Sequence, residues 1–257
     1  MVERLGENVV VIGEGGSANS TLIGGRGCTI LVDTTLFPEK ALKISKFAKE
    51  LFGSSIGVVV NTHYHPDHTF GNSVFEDKEI VSSSLTKRFM EEMDIEYIKA
   101  VWGEERAKRE HITIPSITFD SEKTFQFCGY KVLLKRVGGH TPDSSIVYVE
   151  ELGLVVVGDL LFNGYHPEIT ADSDLGEWIR ALTFIRELQP RYIIPGHGGI
   201  GDIGDVKLMK EYLLKFLGMV EGRVKEEEIL RDPNFVERDF PELFSYSLEN
   251  FAIRNPR

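Results

Sequence analysis

The sequence predicts an α/β protein built as a four-layer αββα sandwich. Two observations carry that prediction. Short apolar strands and amphipathic helices follow one another as strands, helix, strand, helices, strands, helix, strand, helix, so one pattern occurs roughly twice. Two such halves bury their apolar faces by packing sheet on sheet with helices outside. The 257 residues suffice for one sizeable core, and no low-complexity linker divides the chain. We therefore expect one domain over residues 1–257, with 204–257 a helical segment packed on it.

The first third reads as strands. "NVVVIG" is followed by "STLI" and "CTILVD", which flank "GGRG", a glycine-rich tight turn. Pro38 suits a helix start and Gly53 a left-handed helix end, with Leu42, Phe47 and Leu51 as the apolar stripe between them. "IGVVV" is a buried strand that runs directly into His63. Residues 85–110 predict a charged surface helix or helix pair, leading to the irregular link "HITIPS". Two hairpins follow, turning at Cys128-Gly129 and at Glu151 to Gly153, then the amphipathic helix "LGEWIRALTFIREL" and the short strand "RYIIP". "DVKLMKEYLLKFLGMVEGRVKEEEIL" is helical, and its apolar stripe is expected to cover the sandwich, leaving a monomer or a homodimer.

Composition limits the function classes. No apolar run approaches the roughly 20 residues that span a bilayer, so no membrane association is expected. The charged N-terminus "MVERLGENVVVIGEGG" lacks a secretory apolar region, which makes the cytoplasm the expected location. A net charge of −11 repels polyanions, so nucleic acid is not the expected partner and a small molecule is. Cys28 and Cys128 stand far apart without a C-x-x-C partner, and we expect two small buried strand residues, neither a disulfide nor a thiolate cluster. Glutamine occurs only at Gln126 and Gln189 amid abundant Glu, Lys and Arg, a bias found in proteins from hot environments.

The stretch "NTHYHPDHTFGN" places His63, His65, Asp67 and His68 together in a chain with seven histidines. If residues 63–65 are extended, His63 and His65 point to the same side and can converge on one ion. Pro66 bends the chain, so Asp67 and His68 arrive from another direction and can serve a second. Imidazole and carboxylate without thiolate suit zinc, iron or manganese. Two further histidines, His140 in "VGGHTPDSS" and His197 in "IIPGHGG", lie at strand ends between glycines. Asp159 closes an apolar strand in "LVVVGDLLF", where an unpaired buried charge is costly unless a cation neutralises it. His111 matches no such pattern and reads as a solvated loop residue.

Taken together, "THYHPDH", "GGHTPDS", "GDLLF" and "PGHGG", in this order and spacing, resemble the successive motifs of the metallo-β-lactamase superfamily of metal-dependent hydrolases. The resemblance covers roughly residues 8–200. It implies that His63, His65 and His140 bind one divalent ion and Asp67, His68 and His197 a second, with Asp159 and a water bridging them, and it implies the αββα fold. Zinc is the expected metal, with iron or manganese as alternatives. A water between two such ions becomes hydroxide near neutral pH, and Asp67 is the expected catalytic residue that orients it. Tyr165 and His166, just after Asp159, are expected to border the substrate pocket, and Asp33 to orient a ligand by hydrogen bonding.

Departures from known subfamilies narrow the chemistry. The main zinc β-lactamases carry cysteine where Asp159 stands and lysine three positions later, where this chain has Phe162. "NGYHPEI" does not resemble the corresponding stretch of glyoxalase II. The sequence is most similar to small stand-alone members, glyoxalase-like and quinoprotein-relay-associated, which implies a hydrolase of a small ester, thioester or lactone. Three alternatives stay open at this point: a mononuclear iron dioxygenase of the persulfide type, a phosphodiesterase, and a structural metal site in a partner-binding protein.

Overall fold

A computed structural model describes residues 1–13 and 16–254. Seven strands form the first sheet in chain order: β1 (Val2–Leu5), β2 (Val9–Ile12), β3 (Ser20–Gly24), β4 (Thr29–Val32), β5 (Ile56–Val60), β6 (Glu79–Ser83) and β7 (Ile117–Phe119). The first four pair antiparallel, and β4 to β7 continue in parallel. The second sheet has the order β12-β11-β10-β9-β8, from β8 (Glu122–Phe127), β9 (Tyr130–Arg136), β10 (Ser145–Val149), β11 (Leu154–Asn163) and β12 (Tyr192–Gly198). It too is antiparallel until its last pair, where β11 and β12 run parallel. The parallel pairs in each sheet require crossovers, and helices supply them.

The crossovers contain α1 (Pro38–Phe52), α2 (Pro66–Thr69), α3 (Ser84–Glu92), α4 (Ile95–Trp102) and α5 (Leu175–Glu187), and after β12 come α6 (Ile203–Val220), α7 (Glu226–Ile229), α8 (Pro233–Val236) and α9 (Pro241–Arg254). Strand alternation builds the layers. Val9, Val11, Ile30, Val32, Val58 and Val60 face the second sheet and pack with Val132, Leu134, Val147, Val149, Val156 and Ile194. Their neighbours Val10, Leu31 and Val59 face outward, onto Ala41, Ile44 and Ala48 of α1. On the far side, Val155, Val157 and Ile193 meet Trp178, Leu182 and Ile185 of α5 and Met209 and Leu213 of α6. The result is helix, sheet, sheet, helix, the αββα sandwich. Truncating the fully buried Trp178, whose indole donates to the Leu160 carbonyl at 2.9 Å, would cost about 3–5 kcal/mol.

Several local readings change. Strands β1, β6 and β7 carry no clear alternation of their own and are recruited by pairing with stronger neighbours. Gly53 does cap α1 in the left-handed conformation, but Leu42 is 46% exposed, and the buried stripe is Ala41, Ile44 and Ala48. Residues 84–102 form the helix pair α3 and α4. Far from being only a charged surface, the pair buries Met90, Met93, Ile98 and Trp102 against Phe70, directly behind the histidine loop.

The expectation for the cysteines is overturned. Cys28 and Cys128 form a disulfide across a sequence separation of 100, with Cα atoms 5.2 Å apart. Both sit at turns, not in strands, and the bond joins the β3–β4 turn of one sheet to the β8–β9 turn of the other. Spacing along the chain carries no information on a pairing that only the stacking of two sheets creates.

Candidate metal centre

The site lies at one end of the sandwich, where the histidine loop leaves β5 and where β11 and β12 end. Residues 62–64 bend and α2 begins at Pro66, so His63, His65, Asp67 and His68 approach a common point from two sides. His140 enters from the loop between β9 and β10, Asp159 from within β11 and His197 from β12. Glycines permit the close approach. A Cβ at Gly196 would stand 1.8 Å from an Asp159 carboxylate oxygen, and one at Gly139 would stand 2.7 Å from the Trp178 backbone.

Seven donors gather in two groups, His63, His65, His140 and Asp159 in one and Asp67, His68 and His197 in the other; within each group the donor atoms all lie within 4.8 Å of one another. Asp159 stands between the groups. Its Oδ1 is 3.1 Å from His68 Nε2, and its Oδ2 is 3.4 Å from His197, 3.6 Å from His140 and 3.8 Å from His63, each at Nε2. Asp67 Oδ2 lies 3.4 Å from His197 Nε2 and 3.7 Å from His68 Nε2. All the members are buried except Asp67, whose side chain is 33% exposed.

The outward nitrogens are held by the protein. His68 Nδ1 donates to Asp33 Oδ2 at 2.8 Å, His140 Nδ1 to the Glu168 carbonyl at 2.9 Å and His197 Nδ1 to the Gly16 carbonyl at 3.0 Å. The Thr62 hydroxyl donates to Asp33 Oδ2 at 2.8 Å, so its oxygen accepts from His63 Nδ1 at 3.1 Å. In their neutral form these four imidazoles therefore carry their proton outward and aim the Nε2 lone pair into the site. His65 is turned the other way, with Nδ1 inward, 3.2 Å from His140 Nε2. Among the described residues, His63 Nε2, His68 Nε2 and Asp159 Oδ1 are buried without a hydrogen-bond partner. Buried polar atoms left in this way are costly, and lone pairs facing one another repel. A divalent cation satisfies both, and this donor set fits one.

Charge agrees with that chemistry. Burial drives His140 down to about 3 and holds His63 well below the ordinary histidine value. Burial also disfavours charge on His197 and His68, but the carboxylates of Asp159 and Asp67 outweigh it, raising His197 to about 10 and His68 well above its ordinary value. Burial works against the Asp67 carboxylate, yet His68 and His197 bring it down to about 2. The cluster is built to hold positive charge, and a metal entering it competes with protons.

Two cavities open onto the donors. The larger, of about 590 Å³, touches His65 and Asp67, and the smaller, of about 280 Å³, touches Asp67 and His197. Tyr165 lines the smaller. His166 lines neither. It is buried, with Nδ1 2.8 Å from the Tyr212 hydroxyl and its ring beside Phe244, so its expected place at the pocket is corrected: the chain turns it into the core under α9. Asp33 is brought to the site through His68 and Thr62, and His111 is exposed and belongs to neither donor group. Sequence reading missed Glu168, which borders both cavities and whose carbonyl fixes His140. Burial first, then Asp159 and Asp67, raise its carboxyl to about 7. Its position two residues beyond His166 was the available signal.

Residues 13–197 match the family model described as the metallo-beta-lactamase superfamily. The chain is 21% identical over 239 residues to a linear primary-alkylsulfatase of Pseudomonas sp.; the alignment covers 79% of this chain and 42% of that protein, so the chain spans about two fifths of its relative's length. A metallo-beta-lactamase from Pontibacter korlensis superposes with a TM-score of 0.69 at 21% identity, over 83% of this chain and 98% of the other. The metallo-beta-lactamase IND-7 gives 0.67 at 17% identity, over 84% and 98%. At these identities the structural likeness shows the fold alone. Among the described residues, no helix is long and apolar enough to cross a membrane.

Proposed function

The chain belongs to the metallo-beta-lactamase superfamily and is a metallo-hydrolase with a divalent metal site, and from that premise we propose that it hydrolyses a small ester, thioester or lactone at a dinuclear, zinc-loaded centre. One observation carries the reading of two ions: Asp159 stands between two donor groups, with Oδ1 toward His68 and Oδ2 toward His63, His140 and His197. In it His63, His65 and His140 would hold one ion and Asp67, His68 and His197 the other, with Asp159 in reach of both groups. Bound divalent ions supply Lewis acidity, which polarises a carbonyl and lowers the pKa of water toward neutrality.

The chain's own residues do the rest. Asp67 is the one member open to solvent, at the junction of both cavities, and its carboxylate accepts a hydrogen bond from the attacking water and orients it. Asp33, Thr62, Glu168 and Gly16 fix the imidazoles in advance, so little reorganisation accompanies reaction. The Phe162 ring lies parallel to that of His197, with ring centroids 5.2 Å apart, and gives that side of the centre an apolar neighbour.

We also take residues 1–257 as one domain, with 204–257 packed on it, acting as a monomer or homodimer on a small molecule. A cytoplasmic location would sit with the Cys28–Cys128 disulfide if the source is a hot-adapted organism, as the glutamine-poor composition suggests. The test is turnover of ester, thioester, lactone, phosphodiester, alkyl sulfate and β-lactam substrates before and after chelation. Chelator-sensitive turnover of one carbonyl class is expected. Oxygen consumption with a persulfide and no hydrolysis would replace this reading with a dioxygenase, and selective cleavage of the alkyl sulfate would replace the carbonyl substrate with a sulfate ester.

A further inference from the structure

The two cavities at the metal centre share Asp67 and Glu168 but differ in their walls. Phe162, Tyr165, Phe240 and Leu243 give the smaller one an apolar wall, facing the acidic side chains of Asp67, Glu168 and Glu242. The larger is walled by three tyrosines, Tyr64, Tyr97 and Tyr246, and by the carboxylate of Asp172. That carboxylate is fixed in place, accepting from the Tyr64 hydroxyl at 3.4 Å and from the Thr170 hydroxyl at 2.7 Å. Tyr97 and Tyr246 leave 42% and 44% of their surface open. Neither cavity has a lysine or arginine among its described lining residues.

Away from the metal donors, an anionic substrate arm would meet the Asp172 carboxylate with no lysine or arginine beside it. A cation would find both partners it favours, the face of an electron-rich ring and a carboxylate. Asp67 and Asp159 lie against the metal donors, whereas Asp172 belongs to neither donor group and lines the larger cavity, bonded to Tyr64 and Thr170. We propose that the larger cavity is a subsite for an alkylammonium or quaternary ammonium group, so that the substrate is an ester or thioester with a cationic arm on one side of the scissile carbonyl. The substrate assignment rests on the hydrolase reading; the cation subsite can be tested without it.

Choline and its uncharged isostere 3,3-dimethylbutan-1-ol are titrated calorimetrically into the full chain, metal-loaded and chelated. Turnover of butyrylthiocholine is then compared with that of S-(3,3-dimethylbutyl) thiobutyrate. Choline is expected to bind at least tenfold more tightly than the alcohol, and Asp172→Asn and the solvent-exposed Tyr97→Leu are each expected to cut that ratio at least threefold without lowering Tm. Equal binding of the two probes, or a ratio unmoved in both variants, overturns the proposal. Choline preference with neither thioester cleaved upholds the subsite and defeats the hydrolase reading. Cleavage of the neutral thioester at least as fast as the cationic one defeats the subsite and leaves the hydrolase standing.

Discussion

The substitution Asp33→Asn isolates how the fold prepares one donor group. Asp33 is buried, and its φ of 60° is a conformation that asparagine tolerates, so the replacement fits in both shape and backbone. Its Oδ1 accepts the Thr62 amide at 2.8 Å, and Oδ2 accepts both the Thr62 hydroxyl and His68 Nδ1 at 2.8 Å. In the variant, an amide NH2 replaces the oxygen that faces those two donors. The Thr62 hydroxyl can rotate, but the His68 ring relieves the conflict only by moving its proton to Nε2, the atom 3.1 Å from Asp159 that the metal needs. Losing an outer partner of a metal-bound histidine weakens metal binding about 10–100-fold, or roughly 1.4–2.7 kcal/mol. Competition titration against a chromophoric chelator should show that loss at the Asp67, His68 and His197 group, with the other group within about threefold of the wild type. Long-range nitrogen NMR of the metal-free proteins should find His68 Nδ1 protonated in the wild type and without its proton in the variant, which keeps a proton on Nε2. Two affinities both unchanged, or both falling equally, would refute the reasoning.

Other perturbations have equally definite outcomes. Reducing the Cys28–Cys128 bond releases a loop of 100 residues, worth up to about 4.7 kcal/mol in the chain-entropy treatment. At roughly 2.1 cal/mol/K per residue, Tm should fall by as much as about 9 °C in reductant or in Cys28→Ser/Cys128→Ser; two free thiols in the unreduced protein would contradict the pairing. Asp143 is fully buried, and burial, partly offset by its hydrogen bonds, raises its carboxyl from 3.8 to about 6. The folded chain therefore holds this proton more tightly than the unfolded one. The stability it contributes is complete below about pH 4 and is lost as pH rises through 6, about 3 kcal/mol in all. Denaturant titrations at pH 4.5 to 7.5 should thus show Asp143→Asn gaining on the wild type as pH rises, whereas a constant offset would show that Asp143 does not titrate in that window.

What was legible in the sequence was what local pattern encodes. The valine-rich strands, the Pro38 helix start and the turns at Cys128-Gly129 and Gly153 depend on neighbours a few residues away. The gathering of the histidine cluster with the glycine-flanked His140, Asp159 and His197 was legible because few residue types can ligate a metal and these stand out from their apolar or glycine-rich neighbours, although Asp159 lies within β11 and not at its end. What stayed hidden depends on tertiary pairing. The disulfide needs two turns from different sheets to meet, and His166 is turned inward by Tyr212 and Phe244 from segments that follow it much later in the chain. The aid that Glu168 and Gly16 give comes from backbone carbonyls, which every residue possesses and no side-chain pattern announces.

The central claim is that one buried carboxylate, Asp159, is shared by two metal ions. Anomalous diffraction from crystals of the protein purified without added metal, collected above and below the zinc edge, addresses it directly. Two zinc peaks are predicted, one among His63, His65 and His140 and the other among Asp67, His68 and His197, with Asp159 between them. A single peak in one group, with the other group filled by hydrogen-bonded water, would contradict the claim.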